Sequence, residues 1–79
     1  MKYPTLEQVE RATVLQLATW RRFLGSPGIA AIMAGKTGAG AEAARLRELE
    51  VLERIIARHE EQGGWTPALS KEVGLDPPG

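Results

Sequence analysis

Apolar residues recur at three- and four-residue steps through one long segment of this chain, AEAARLRELEVLERIIARHEEQ, from Ala41 to Gln62. Leu46, Leu49, Leu52 and Ile56 form the stripe and Val51 and Ile55 widen it, which is the period of a helix and not of a strand. At 1.5 Å per residue that helix would span roughly 33 Å. Glu42, Arg45, Arg47, Glu48, Glu50, Glu53, Arg54 and Arg58 fall on the other side as a solvated face, with Glu50 and Arg54 in the order that favours an i,i+4 pair. Every other patterned segment is short and needs this helix as a packing surface. The reading is all-α: a small helical bundle, residues 1–79 as a single domain, with the long central helix at about 41–62, an N-terminal helix or helix pair over 6–24, and short helices at about 28–34 and 67–73.

Local signals set the boundaries. Met1 to Pro4 is an extended lead-in that leaves Tyr3 free to lay its ring on the first helix. Thr5-Leu6-Glu7-Gln8 and Thr13-Val14-Leu15-Gln16 are both capping boxes, in which the threonine hydroxyl and the glutamine side chain satisfy one another's backbone N–H groups. A threonine inside one continuous helix is also tolerated, so residues 6–24 read either as one helix or as a short helix to Arg11, a bend and a second helix from Val14; the second box favours the bend. From Val14 on, Val14, Leu17, Ala18, Trp20 and Leu24 share a face, leaving Gln16, Thr19 and Arg22 outside. Leu49, Leu52 and Ile56 are the expected core partners of Leu17, Trp20 and Leu24.

Gly25-Ser26-Pro27-Gly28 stops that helix, and Ser26 as cap with Pro27 at the first position frames a short helix, Gly28 to Ala34, whose Ile29, Ile32 and Met33 point inward. The glycine-rich run Gly35 to Gly40 reads as the most open internal loop. Gly63-Gly64 ends the central helix, Thr66-Pro67 starts a last one with Leu69 and Val73 on its inner side, and Asp76-Pro77-Pro78-Gly79 is a proline-rich tail.

Composition narrows the function classes. Ten Lys and Arg balance ten Asp and Glu among 79 residues, so the long-range field that draws proteins to phosphate backbones or anionic lipid is missing, and nucleic acid is a disfavoured partner. Absence of cysteine removes disulfides and thiolate metal sites. No apolar run approaches the ~20 residues of a membrane span, and Met1 to Leu6 has no signal-peptide core, so the expected location is the cytoplasm. A chain this short buries a small core, which a homodimer would enlarge.

Candidate chemistry is sparse. Ala34-Gly35-Lys36-Thr37 resembles the end of a phosphate loop, but Ala30 stands where that motif needs glycine and no β-branched strand precedes it. His59, the only histidine, has no nucleophile or metal-ligand pattern around it and reads as a seam residue near a helix C-terminus. Leu69 to Leu75 resembles the first helix and turn of a helix-turn-helix, without a recognition helix to follow. The best surface chemistry is Trp20-Arg21-Arg22-Phe23: Trp20 buried with Leu17 and Leu24, Arg21 and Arg22 exposed. Arg21, Arg22 and Lys36 are thus the expected partner-binding residues, with no catalytic residue, metal or cofactor.

Three stretches carry a resemblance: Tyr3-Pro4-Thr5-Leu6-Glu7-Gln8-Val9-Glu10, the segment Leu15-Gln16-Leu17-Ala18 through Trp20 and Arg22-Phe23-Leu24 to Ser26-Pro27-Gly28, and Gly63-Gly64 with Thr66-Pro67 and Ser70-Lys71. Together they resemble a family of small proteins encoded by tailed phages and prophages. The resemblance covers both ends of the chain and not Ile29 to Ala41. It implies a non-enzymatic accessory protein that binds a host protein complex, most specifically an anti-CRISPR inhibitor that meets CRISPR effector subunits. The alternatives are a small dimeric DNA-binding regulator and a virion or packaging component.

Overall fold

The two threonine–glutamine boxes both form, and they divide the N-terminal region into two helices. In the computed structural model, which describes residues 1–77, α1 spans Leu6–Arg11 and α2 spans Val14–Phe23. Gln8 N–H donates to Thr5 Oγ1 at 3.1 Å and Thr5 N–H to Gln8 Oε1 at 2.8 Å. Gln16 and Thr13 repeat the arrangement at 3.2 and 2.8 Å. Between them Ala12 is extended, with ψ at 149°, so the chain bends there. The remaining helices are α3 (Ile29–Met33), α4 (Gly38–Glu61) and α5 (Pro67–Val73). The architecture is a small helical bundle in which α4 carries α1, α2 and α3, while α5 packs on α2. The expected tail at Asp76 to Gly79 lies partly outside the described residues, at Pro78 and Gly79.

The core is a cluster of Val9, Leu17, Val51 and Ile55, with Tyr3, Ala12, Trp20 and Leu24 packed around it. On α4 the buried line is Ala44, Val51, Ile55 and His59. This corrects the expected stripe: Leu49, Leu52 and Ile56 are only half-buried and Leu46 is 52% exposed. The seam is rotated because part of the charged face of α4 is turned toward α1. Arg58 Nη1 donates to the Val9 and Ala12 carbonyls at 2.6 and 3.3 Å, closing the C-terminal end of α1, and Arg54 pairs with Glu10. Arg54 therefore meets Glu10 in place of the expected Glu50. Seating α1 over Arg54 and Arg58 puts Val51 and Ile55 in the middle of the packed side.

Two further expectations fail in the region from Gly25 to Gly40. The short helix begins at Ile29, not Gly28, and its cap is Gly28 itself at φ 85°, while Ser26 only accepts the Ile29 N–H through its carbonyl at 3.0 Å. Gly28 lies flat against α4: a Cβ there would stand 2.8 Å from Arg45 Cβ, and its N–H donates to Glu48 Oε1 at 2.8 Å. That close approach turns Ala31 toward α4 and turns Ile29, Ile32 and Met33 away, leaving them 43%, 60% and 80% exposed. The glycine-rich loop is also shorter than expected, since α4 already includes Gly38 and Gly40. Once a helix is nucleated, each added residue gains a backbone bond, which outweighs the low helical preference of glycine at an end.

Tyr3 packs against the core cluster that includes Val9 of α1. Its hydroxyl donates to the Gly25 carbonyl at 2.5 Å, tying the lead-in to the end of α2. Burial, and then the nearby Glu48 carboxylate, hold its pKa above the ordinary phenol value.

Candidate functional site

The residues singled out for partner contact are separated by the fold. Arg22 is half-buried and fully engaged within the chain: Nη1 donates to the Ser70 and Gly74 carbonyls at 2.9 and 2.7 Å, and Nη2 to Ser70 Oγ at 2.6 Å. Its guanidinium carbon also lies 4.3 Å from the centroid of the Trp65 ring. Arg21, with a side chain 24% exposed, donates through Nη1 to Glu60 Oε1 at 2.5 Å and meets His59 Nδ1 at 3.1 Å. The expected exposure of both arginines is therefore corrected. They are α2's fasteners to α5 and to the end of α4, because Arg21 and Arg22 lie one turn beyond the buried Leu17 and Ala18 and so on the same inward side of α2. Lys36 alone of the three is exposed, in the connection between α3 and α4, where its N–H donates to the Ala31 carbonyl at 2.9 Å.

His59 sits inside that corner, fully buried, with Trp65 edge-on to its ring at 4.9 Å between centroids. The corner forms because Gly63 and Gly64, at φ 106° and 63°, return N–H bonds to the Glu60 and His59 carbonyls. Burial, then the Arg21 cation, hold the His59 pKa below the ordinary histidine value. Among the described residues no three His, Asp or Glu side chains are grouped so as to hold a metal ion. Among the same residues no helix is long and apolar enough to cross a membrane.

What the sequence reading missed is the outward side of α3. Ile29, Ile32 and Met33 stand at i, i+3 and i+4 and so share one face, and Lys36 follows them in the next connection. The available signal was the pair of small residues Gly28 and Ala31, which permits close backbone approach to α4 and so directs the larger side chains away. A cleft elsewhere on the surface is lined by Tyr3, Pro4, Leu6, Arg47, Glu50 and Val51.

With this geometry the chain belongs structurally to the class of small all-α bundles. No family model, curated protein or solved structure matches it.

Proposed function

We propose that this protein is a phage- or prophage-encoded accessory protein that acts in the host cytoplasm, without catalysis, by binding a host protein complex, and that the complex is a CRISPR effector. The observation that supports a protein partner is the outward face of α3, where Ile29, Ile32 and Met33 remain 43%, 60% and 80% exposed beside the exposed cation Lys36. A cluster of large apolar side chains next to a charge is the composition of a contact-patch centre, and such a cluster has little to offer a phosphate backbone. Formal neutrality makes any inhibition a matter of fitted contact and not of imitating the charge of DNA.

The test is a plasmid- or phage-restriction assay in hosts with active CRISPR systems of several types, beside a pull-down with the purified protein. Loss of restriction together with co-purifying effector subunits is the expected result. Full restriction with no co-purifying subunit in every system overturns the CRISPR reading.

A further inference from the structure

His59 is the single histidine of the chain and lies fully buried in the last turn of α4. Its surroundings come from α2, from α4 itself and from the loop into α5. On the α2 side, Arg21 Nη1 is 3.1 Å from Nδ1. A guanidinium only donates, so Nδ1 accepts, and the neutral ring carries its proton on Nε2. Among the described residues that buried Nε2 has no hydrogen-bond partner. On the loop side, Trp65 meets the imidazole at 89°, and Gly64 N–H donates to the His59 carbonyl at 2.8 Å. Behind Trp65 stands a second cation, Arg22. Among the described residues the carboxylate acting on the ring is Glu60, already bonded to Arg21 at 2.5 Å.

We propose that His59 is an acid-sensitive latch whose protonation releases residues 63–73, the Trp65 loop and α5, while α1, α2 and α4 stay packed. A proton on Nδ1 would set two donors against each other where the Arg21 contact now is. It would also add a second positive charge beside Arg21, with the Glu60 carboxylate left to meet both. The ring relieves this by leaving its pocket, and Trp65 closes the way. Since α5 packs chiefly on α2, displacing Trp65 leaves α5 held by Arg22 and the contacts of Leu69.

The direction in pH follows from the same geometry. Burial and Arg21 lower the affinity of His59 for a proton, against smaller opposing effects of the Glu60 carboxylate and the Gly64 backbone beside the ring. The closed form therefore binds the proton less well than the open form. Its stability is complete above the ordinary histidine value of about 6.5 and declines as the pH falls below it. No second histidine and no cysteine titrate in this range, and the terminal amine is on the exposed Met1.

The experiment is NMR on the full chain between about pH 8 and about pH 5, following the His59 ring protons and amide hydrogen exchange corrected for intrinsic rates. His59 is expected to titrate below about 6.5, and with the same midpoint the Ser70 and Gly74 amides should lose about tenfold or more of their protection while α4 amides at Val51 and Ile55 keep theirs. Glu60→Gln should move the midpoint to lower pH, and His59→Gln should make α5 protection independent of pH. Titration of His59 with no change in α5 protection overturns the latch, as does loss of α4 and α5 protection together. Should His59→Gln fail to fold, the coincidence or separation of midpoints in the native chain decides.

Discussion

Arg22 stacks its guanidinium carbon 4.3 Å over the Trp65 ring while the same group holds the Ser70 and Gly74 carbonyls. One side chain of α2 thus grips the loop that enters α5 and the carbonyls at the far end of that helix, where a cation is favoured. Charged hydrogen bonds of this kind contribute about 1.5 to 3 kcal/mol when partly buried. Arg22→Ala should therefore lower stability by about 2 to 3 kcal/mol in urea denaturation, with α5 amides losing protection first. Arg22→Lys restores the charge without the planar fork and should recover less than half of the loss. A melting temperature unchanged in Arg22→Ala would mean that α5 is held by something else.

The position of the α4 seam yields a second prediction. Ile55 is fully buried, whereas Leu46 on the same helix is 52% exposed. Ile55→Ala should cost about 2 to 5 kcal/mol and Leu46→Ala within about 0.5 kcal/mol, with half-buried Leu49→Ala between them. Equal costs at Ile55 and Leu49 would place the seam along Leu46, Leu49, Leu52 and Ile56 after all.

Gly28 and Gly35 share nearly the same backbone angle, φ 85° and 86°, but only Gly28 has a neighbour in the way. Gly35→Ala should show just the left-handed strain, about 1 to 2 kcal/mol. Gly28→Ala adds the contact with Arg45 and should cost clearly more, with α3 exchanging faster than in the parent. If thermal melts of the two variants coincide, α3 is not seated on α4 by this close approach.

Ile32→Glu combined with Met33→Glu should leave the melting curve in place, because both side chains already face solvent. The same pair should weaken capture of the partner by about 30-fold or more if the α3 face is a contact centre, since central residues are worth 2 kcal/mol or more each. Lys36→Glu should act in the same direction. Capture that is indifferent to all three changes would move the contact to another face, such as the Tyr3–Val51 cleft.

Acid should act on the fold in two separate windows. Glu10 has its pKa lowered by the hydrogen bond from Arg54, which outweighs desolvation and is helped by the Arg54 and Arg58 charges. Its contribution is present above the ordinary carboxylate value and is lost as the pH falls through the lowered one, well below the window of His59. Glu10→Gln should flatten the stability-against-pH curve only in the carboxylate range. Flattening near neutrality would show that the two windows are not independent.

Much of the fold was legible before any coordinates, because the signals that set it are local. Thr5 with Gln8 and Thr13 with Gln16 lie three residues apart and satisfy each other within one turn, so neighbouring residues alone favoured two helices with a bend over one continuous helix, and the structure has the bend at Ala12. The stops at Gly63-Gly64 and the start at Thr66-Pro67 are equally short-range. What tertiary structure decided is which way each helix faces. The apolar arc of α4 is wide enough for either Val51–Ile55 or Leu52–Ile56 to lead, and the choice fell to α1, seated by Arg54 and Arg58 about 45 residues away in sequence. Arg21 and Arg22 read as exposed because charge in a helix is usually solvated; carbonyls at Ser70 and Gly74 and the imidazole of His59, all more than 35 residues distant, claimed them. The outward face of α3 was hidden for the same reason: periodicity groups Ile29, Ile32 and Met33 on one side, but only the flat approach of Gly28 to Arg45 determines that this side looks away from the core.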